Sequence, residues 1–279
     1  MIESFLKNKT VGVIAPAGRI NPQNLSSAIT AWQSWGTKVK VMPHVTGFEE
    51  DFFSAPAELR AEDINNAADD DEIDFIICAR GGYGCAVLND LIDWSLLAQK
   101  NKAIIGYSDI TALHQMMLRH NAGIPISGAM FIRAPELFSN PLNSDSFINA
   151  LNNTPQTIRI NTNNPFHGKC ITANLTVLAS LCGTELICDF KNKCLILEDL
   201  NEPPYKIHRM MNQLAQAGIF SQISAVAFGE FIDCGEQNET EKILRFFADK
   251  YNLPAYFGLP IGHGDKIFAI NMLNDISII

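Results

Sequence analysis

Four strand-like runs, each followed by a stretch with helical periodicity or a turn, dominate the first 107 residues and leave few fold classes open. Val11-Gly12-Val13-Ile14-Ala15 is continuously apolar, as a strand covered on both faces requires. Asn21 before Pro22 signals a helix start, and Leu25, Ala28, Ile29 and Trp32 then share one helical face. Residues 38–42 alternate like a half-buried strand. Ser54 and Pro56 open a second helix that gathers Leu59, Ile64, Ala67 and Ala68. Phe75-Ile76-Ile77-Cys78 and Ala103-Ile104-Ile105-Gly106-Tyr107 complete the set. This alternation predicts βαβ units in a doubly wound, mostly parallel sheet. Right-handed crossovers bring the strand C-termini to one edge, where open α/β sheets bind ligands.

The pattern weakens between Pro135 and Pro165, where Asn152, Asn153, Thr154, Pro155, Asn161, Asn163 and Asn164 crowd together. One short helix is expected there, at 146–151. Beyond it, strands are expected at 194–197, 225–228, 255–259 and 267–270, with helices at 204–217 and 239–251. The organisation predicted is an α/β domain over 1–135, a linker region over 136–165 and a smaller, β-rich domain over 166–279, with a cleft between the domains. A length of 279 residues suits two modest domains at ~150 residues each.

Lys and Arg total 21 against 30 Asp and Glu, and the resulting −9 argues against a nucleic-acid partner. A hydrophobic fraction of 47% with 18% charged residues is a globular composition, not a disordered one. No apolar run is long enough to span a membrane and no leader pattern opens the chain. Seven scattered cysteines, without a C-x-x-C, read as free thiols of a reducing compartment. The expected location is the cytoplasm.

Chemistry concentrates at four places. In Gly106-Tyr107-Ser108-Asp109 a strand turns sharply into an amphipathic helix. A serine there can be lifted off the sheet edge beside the Asp109 N–H, the logic of a nucleophile elbow. Ile110 stands where G-x-S-x-G needs glycine, and a helix cap is the commoner role for Ser108 on this segment alone. Arg80-Gly81-Gly82-Tyr83-Gly84 follows a strand and could bring backbone amides close to a ligand or oxyanion, yet it fits neither nucleotide fingerprint. Leu197-Glu198-Asp199 with Glu202 ends a strand in carboxylates, any of which could orient a histidine or simply cap a loop. Gly262-His263-Gly264 sets an imidazole between glycines that would leave it accessible for proton transfer. The other five histidines read as structural, and no metal-ligand spacing is present.

Taken together, Val13-Ile14-Ala15-Pro16-Ala17, Arg80-Gly81-Gly82-Tyr83-Gly84, Gly106-Tyr107-Ser108-Asp109, Leu197-Glu198-Asp199 with Glu202 and Tyr205, and Gly262-His263-Gly264 make the chain resemble the serine LD-carboxypeptidases. That family comprises murein tetrapeptide carboxypeptidases and the related microcin-immunity peptidases. The pieces stand in family order and span nearly the whole chain; one departure is Ala173-Asn174-Leu175, where Gly-Gly-Asn-Leu is usual. The resemblance implies a triad of Ser108, Glu198 and His263 shared between two domains, in a homodimer acting on a small peptide without metal or cofactor. It implies hydrolysis of the bond between meso-diaminopimelate and terminal D-alanine in murein tetrapeptides, for cell-wall recycling.

In that chemistry the Asp109 N–H and an amide of Gly81 or Gly82 would hold the oxyanion. Arg80, with Tyr83 beside it, is the expected substrate contact, although Lys206, Arg209 and Arg133 could equally take a terminal carboxylate. The nearest alternative keeps the triad and cleaves peptidyl- or aminoacyl-nucleotide amides; the absence of a long aromatic insertion near Glu198 counts against it. Further alternatives are an α/β-hydrolase esterase, disfavoured by Ile110, and a non-catalytic two-lobed binding protein.

Overall fold

A computed structural model describes residues 1–48 and 52–279. After a one-turn helix α1 (Ile2–Leu6), the chain lays down β1 (Thr10–Ile14), α2 (Pro22–Ser34), β2 (Lys38–Val41), α3 (Ala57–Asp69) and β3 (Phe75–Cys78). Then come α4 (Trp94–Lys100), β4 (Ala103–Gly106), α5 (Ile110–His120) and β5 (Ile124–Ser127). The five strands are parallel in the order 5-4-3-1-2. The doubly wound expectation therefore holds, with the order reversing between β1 and β3, where such sheets open a crevice. Strands β3 and β4 are buried along their whole length, which explains their unbroken apolar sequence. Helix α2 starts as its sequence predicts: the Asn21 side chain accepts from the N–H groups of Gln23 and Asn24. It buries Trp32, whose indole donates to the Phe131 carbonyl at 3.1 Å and stacks on the Phe131 ring.

The asparagine-rich stretch contains structure of its own. Helices α6 (Ala134–Leu137) and α7 (Pro141–Leu151) lead into β6 (Gln156–Ile158), and α7 begins a turn and a half before the short helix expected. Next come β7 (Phe166–Asn174), α8 (Leu175–Leu181), β8 (Cys194–Leu200) and α9 (Pro204–Gln216). They are followed by β9 (Ala225–Ile232), α10 (Gln237–Lys250) and β10 (Ala255–Phe257). With β12 (Asp275–Ile278), the second sheet has six strands in the order β10-β9-β8-β7-β12-β6, and β7 to β10 run parallel. Three of its members escape the sequence reading: β6, β7, and β12, which pairs parallel with β6 and antiparallel with β7.

The strand expected at 267–270 is corrected to β11 (Ile270–Asn271), which pairs antiparallel with β5 and so closes the edge of the first sheet. Each half has its own apolar core, and Ile267 and Ala269 pack into the first one. The chain thus runs from His263 through exposed Asp265 and Lys266 and is buried from Ile267 in the half that bears Ser108. No helix among the described residues is long and apolar enough to cross a membrane.

Candidate active site

Ser108 lies between β4 and α5 with φ 61°, a left-handed conformation that a β-carbon disfavours. Helix α5 starts at Ile110 with Asp109 at its cap position, so the structure corrects the helix-cap reading of Ser108. The turn instead lifts the serine off the sheet, as a nucleophile elbow does. Ile110 does not prevent this, because its side chain packs under Gly106, where an added methyl would strike it at 2.8 Å.

The Asp109 carboxylate is buried and accepts from the Cys85 N–H at 2.9 Å, tying the end of the glycine loop to the start of α5. Burial pushes its carboxyl up, and the bond from Cys85 works the other way. Gly81 lies directly against Ser108: a β-carbon there would sit 3.0 Å from Ser108 Cβ and 3.1 Å from its Oγ. The Gly81 carbonyl accepts from the Gly18 N–H at 3.2 Å. The peptide's other end, the Gly82 N–H, faces the opposite way because the bond is trans.

Glu198 and His263 come together across the second half. His263 Nδ1 is 2.7 Å from Glu198 Oε2, and both side chains are largely buried. Asn174, at the end of β7, donates from one amide nitrogen to Glu198 Oε1 and to Asp199 Oδ1, while its Oδ1 caps α8. Asp199 turns away from the imidazole and accepts from the N–H and hydroxyl of Thr176 and from the Leu200 N–H. Glu202 pairs with Lys206. Of the three carboxylates left open by spacing, Glu198 alone meets His263 among the described residues.

Ser108, His263, Gly81, Gly82, Arg80 and Arg133 line one cavity of about 350 Å³. Lys206 and Arg209 lie outside it; the Arg209 guanidinium covers the Tyr205 ring instead. Tyr83 is exposed beyond the cavity lining and packs on the Phe53 ring at 5.8 Å. Arg80 donates to the Arg19 carbonyl, and Arg133 donates to the His263 carbonyl at 3.0 Å. Tyr107 adds an edge contact to the imidazole with ring centroids 4.9 Å apart.

The remaining histidines have structural partners: His44 meets Asp63, His114 the Ile104 carbonyl, His120 the Trp94 ring, His167 the Ser277 hydroxyl and His208 the Phe247 ring. No cluster with metal-ligand composition occurs among the described residues.

Sequence reasoning missed Glu230, which accepts from the Gly264 N–H at 2.9 Å. A glycine inside a strand pattern, here Gly229, marks a bulge or close approach and was the available signal. The glycines around His263 do not merely expose it: both abut Glu230.

A serine on a strained turn, beside close backbone amides and a carboxylate-bound histidine, defines the serine-hydrolase class of site. The chain belongs to the LD-carboxypeptidase family, matching its N-terminal domain over residues 11–128 and its C-terminal domain over residues 167–278. It is 30% identical to the murein tetrapeptide carboxypeptidase of Pseudomonas aeruginosa over 272 residues, 91% of this chain and 88% of that protein. The muramoyltetrapeptide carboxypeptidase from Oxalobacter formigenes superposes with a TM-score of 0.82 at 26% identity, covering 95% of this chain and 92% of that one. The microcin C7 self-immunity protein MccF, in complex with glutamyl sulfamoyl guanosine, shares the fold with a TM-score of 0.85 at 20% identity, covering 97% and 92%.

Proposed function

We propose that this chain is a serine LD-carboxypeptidase that releases terminal D-alanine from murein tetrapeptides by hydrolysing its bond to meso-diaminopimelate. The observation that carries the reading is the 2.7 Å contact between His263 Nδ1 and Glu198 Oε2, with His263 and Ser108 facing one cavity. Because the Glu198 carboxylate accepts a hydrogen bond from Nδ1–H and so keeps the proton on that nitrogen, Nε2 is the free base. Nε2 accepts the Ser108 proton as Oγ attacks the scissile carbonyl, and then passes it to the leaving amine. Water, deprotonated by the same nitrogen, hydrolyses the acyl-serine and restores the hydroxyl.

The Asp109 N–H, unused by the α5 ladder, and the Gly82 N–H receive the oxyanion; one such donor contributes about 2.7–4 kcal/mol in serine hydrolases. Gly81 is the third backbone element of that hole. Arg80 receives the terminal carboxylate at the cavity wall, and Tyr83 extends the same loop toward the peptide. The names of the two carboxypeptidase relatives support this substrate over nucleotide amides. The chain works in the cytoplasm as a homodimer, with the active site between an N-terminal domain ending near 135 and a C-terminal domain beginning near 166.

The test is D-alanine release from L-Ala-γ-D-Glu-meso-diaminopimelyl-D-Ala by wild type and Ser108→Ala, with a chelator present. Release by wild type, lost in the variant and indifferent to chelator, is the expected result. A folded wild type that releases nothing would remove the murein reading and bring peptidyl-nucleotide amides forward. Sedimentation of the purified chain checks the dimer.

A further inference from the structure

Strands β8 and β9 fall out of step beside the triad carboxylate. Leu197 pairs with Phe228 and Asp199 with Phe231, so β9 carries one extra residue across from Glu198. That bulge spans Gly229 and Glu230, and a bulge re-aims the side chain it displaces. Glu230 is thereby turned onto the loop that carries His263 and fastens it twice. Its N–H donates to the Ile261 carbonyl at 2.8 Å, and its Oε2 accepts from the Gly264 N–H at 2.9 Å. His263 lies between those two anchor points.

Both flanking glycines are spent on this contact. A methyl at 262 would stand 2.9 Å from Glu230 Cβ, and one at 264 would collide with Glu230 Oε2. Two carboxylates on neighbouring strands thus divide the work. Glu198 takes the imidazole, and Glu230 takes the backbone just beyond it.

We infer that Glu230 is a positioning residue for His263, holding the histidine loop through the Gly264 N–H. The inference rests on the reading of His263 as the base acting on Ser108. What the N–H needs is an oxygen acceptor in that place, so a glutamine amide serves and an alanine does not. Loosening the loop moves the imidazole relative to Ser108 and slows the chemical step, because small misplacements of a catalytic group are expensive in rate. Substrate binding is left alone.

The test compares wild type with Glu230→Gln, Glu230→Ala, Gly264→Ala and the double variant Glu230→Ala/Gly264→Ala, each checked for folding by circular dichroism. Two readouts are taken: kcat and KM for D-alanine release, and the rate at which a fluorophosphonate modifies Ser108. Glu230→Ala is expected to lower kcat about 10–100-fold with KM held within about twofold, and to slow phosphonylation in parallel. Glu230→Gln should keep at least about half the wild-type rate. Gly264→Ala should be slow alone, and its added cost should vanish in the double variant, where the collision is relieved.

Wild-type rates in Glu230→Ala would overturn the inference, as would a raised KM at unchanged kcat, which marks a substrate contact. A Glu230→Gln as slow as Glu230→Ala would also overturn it, since charge and not the acceptor would then matter. Should Glu230→Ala not fold, Gly264→Ala decides by the same two rates. A wild type that reacts with the fluorophosphonate yet releases no D-alanine would remove the murein reading alone. The phosphonylation rates would still decide the role of Glu230.

Discussion

Adjacent positions on β8 carry two buried carboxylates, Glu198 and Asp199, that share the Asn174 amide nitrogen and otherwise take different partners. Glu198 meets His263 Nδ1; Asp199 meets the N–H and hydroxyl of Thr176 at the start of α8. Glu198→Gln should therefore leave the fold intact and lower kcat by roughly 10³–10⁴-fold, because an amide cannot impose the tautomer that frees Nε2. Asp199→Ala should instead strip buried donors of their acceptor and cost roughly 2–4 kcal/mol of stability. Paired measurements of kcat and urea midpoint check both. Equal loss of activity without loss of stability in the two variants would contradict this division.

Helix α5 connects the turn at Ser108 to the sheet behind it. Its His114 is fully buried and donates from Nε2 to the Ile104 carbonyl on β4, a bond that by itself favours the charged ring. Burial lowers its pKa from 6.5 to about 4. An imidazole depressed in this way stays uncharged in the folded chain while the unfolded chain takes up a proton. Stability is then complete above pH 6.5 and falls as the pH drops toward 4. Between pH 7.5 and pH 5 wild type should lose roughly 2 kcal/mol more than His114→Gln, which keeps a donor and does not titrate. Urea titrations at the two pH values measure the gap. A gap that does not change with pH would rule out a neutral His114 as the cause.

In the molecule as a whole, the loop bearing His263 comes from the second half of the chain yet is moored to the first. Arg133 holds the His263 carbonyl. Asn143, on α7 and buried, donates to the carbonyls of Leu137 and Asp265 and accepts from the Ile267 N–H. Asn143→Ala leaves those groups unpaired and should cost roughly 3 kcal/mol, with kcat falling because the histidine loop is freed at one end. Urea denaturation together with kcat tests it. Full activity in a destabilised variant would show that the mooring serves the fold alone.

The first sheet was legible because residues 11–14 of β1 and all of β3 and β4 are buried and apolar, and because the Asn21 side chain caps α2 by strictly local bonds with Pro22 at its first position. Burial of one face likewise exposed α9 and α10 to within about a turn. The short strands β11 and β12 were not legible, since two to four residues paired with strands far away in the chain carry no periodicity of their own. At the site, short motifs in family order singled out Ser108, Glu198 and His263.

The amino-acid pattern thus determines the βαβ half, its turn at Ser108 and the residue types that acyl transfer requires, because those depend on neighbours within a few positions. The left-handed backbone of Ser108, the division between Glu198 and Asp199 and the grip of Glu230 on Gly264 belong to the folded molecule. Each depends on which backbone lies against which across separations of tens of residues or more, and no local propensity encodes that.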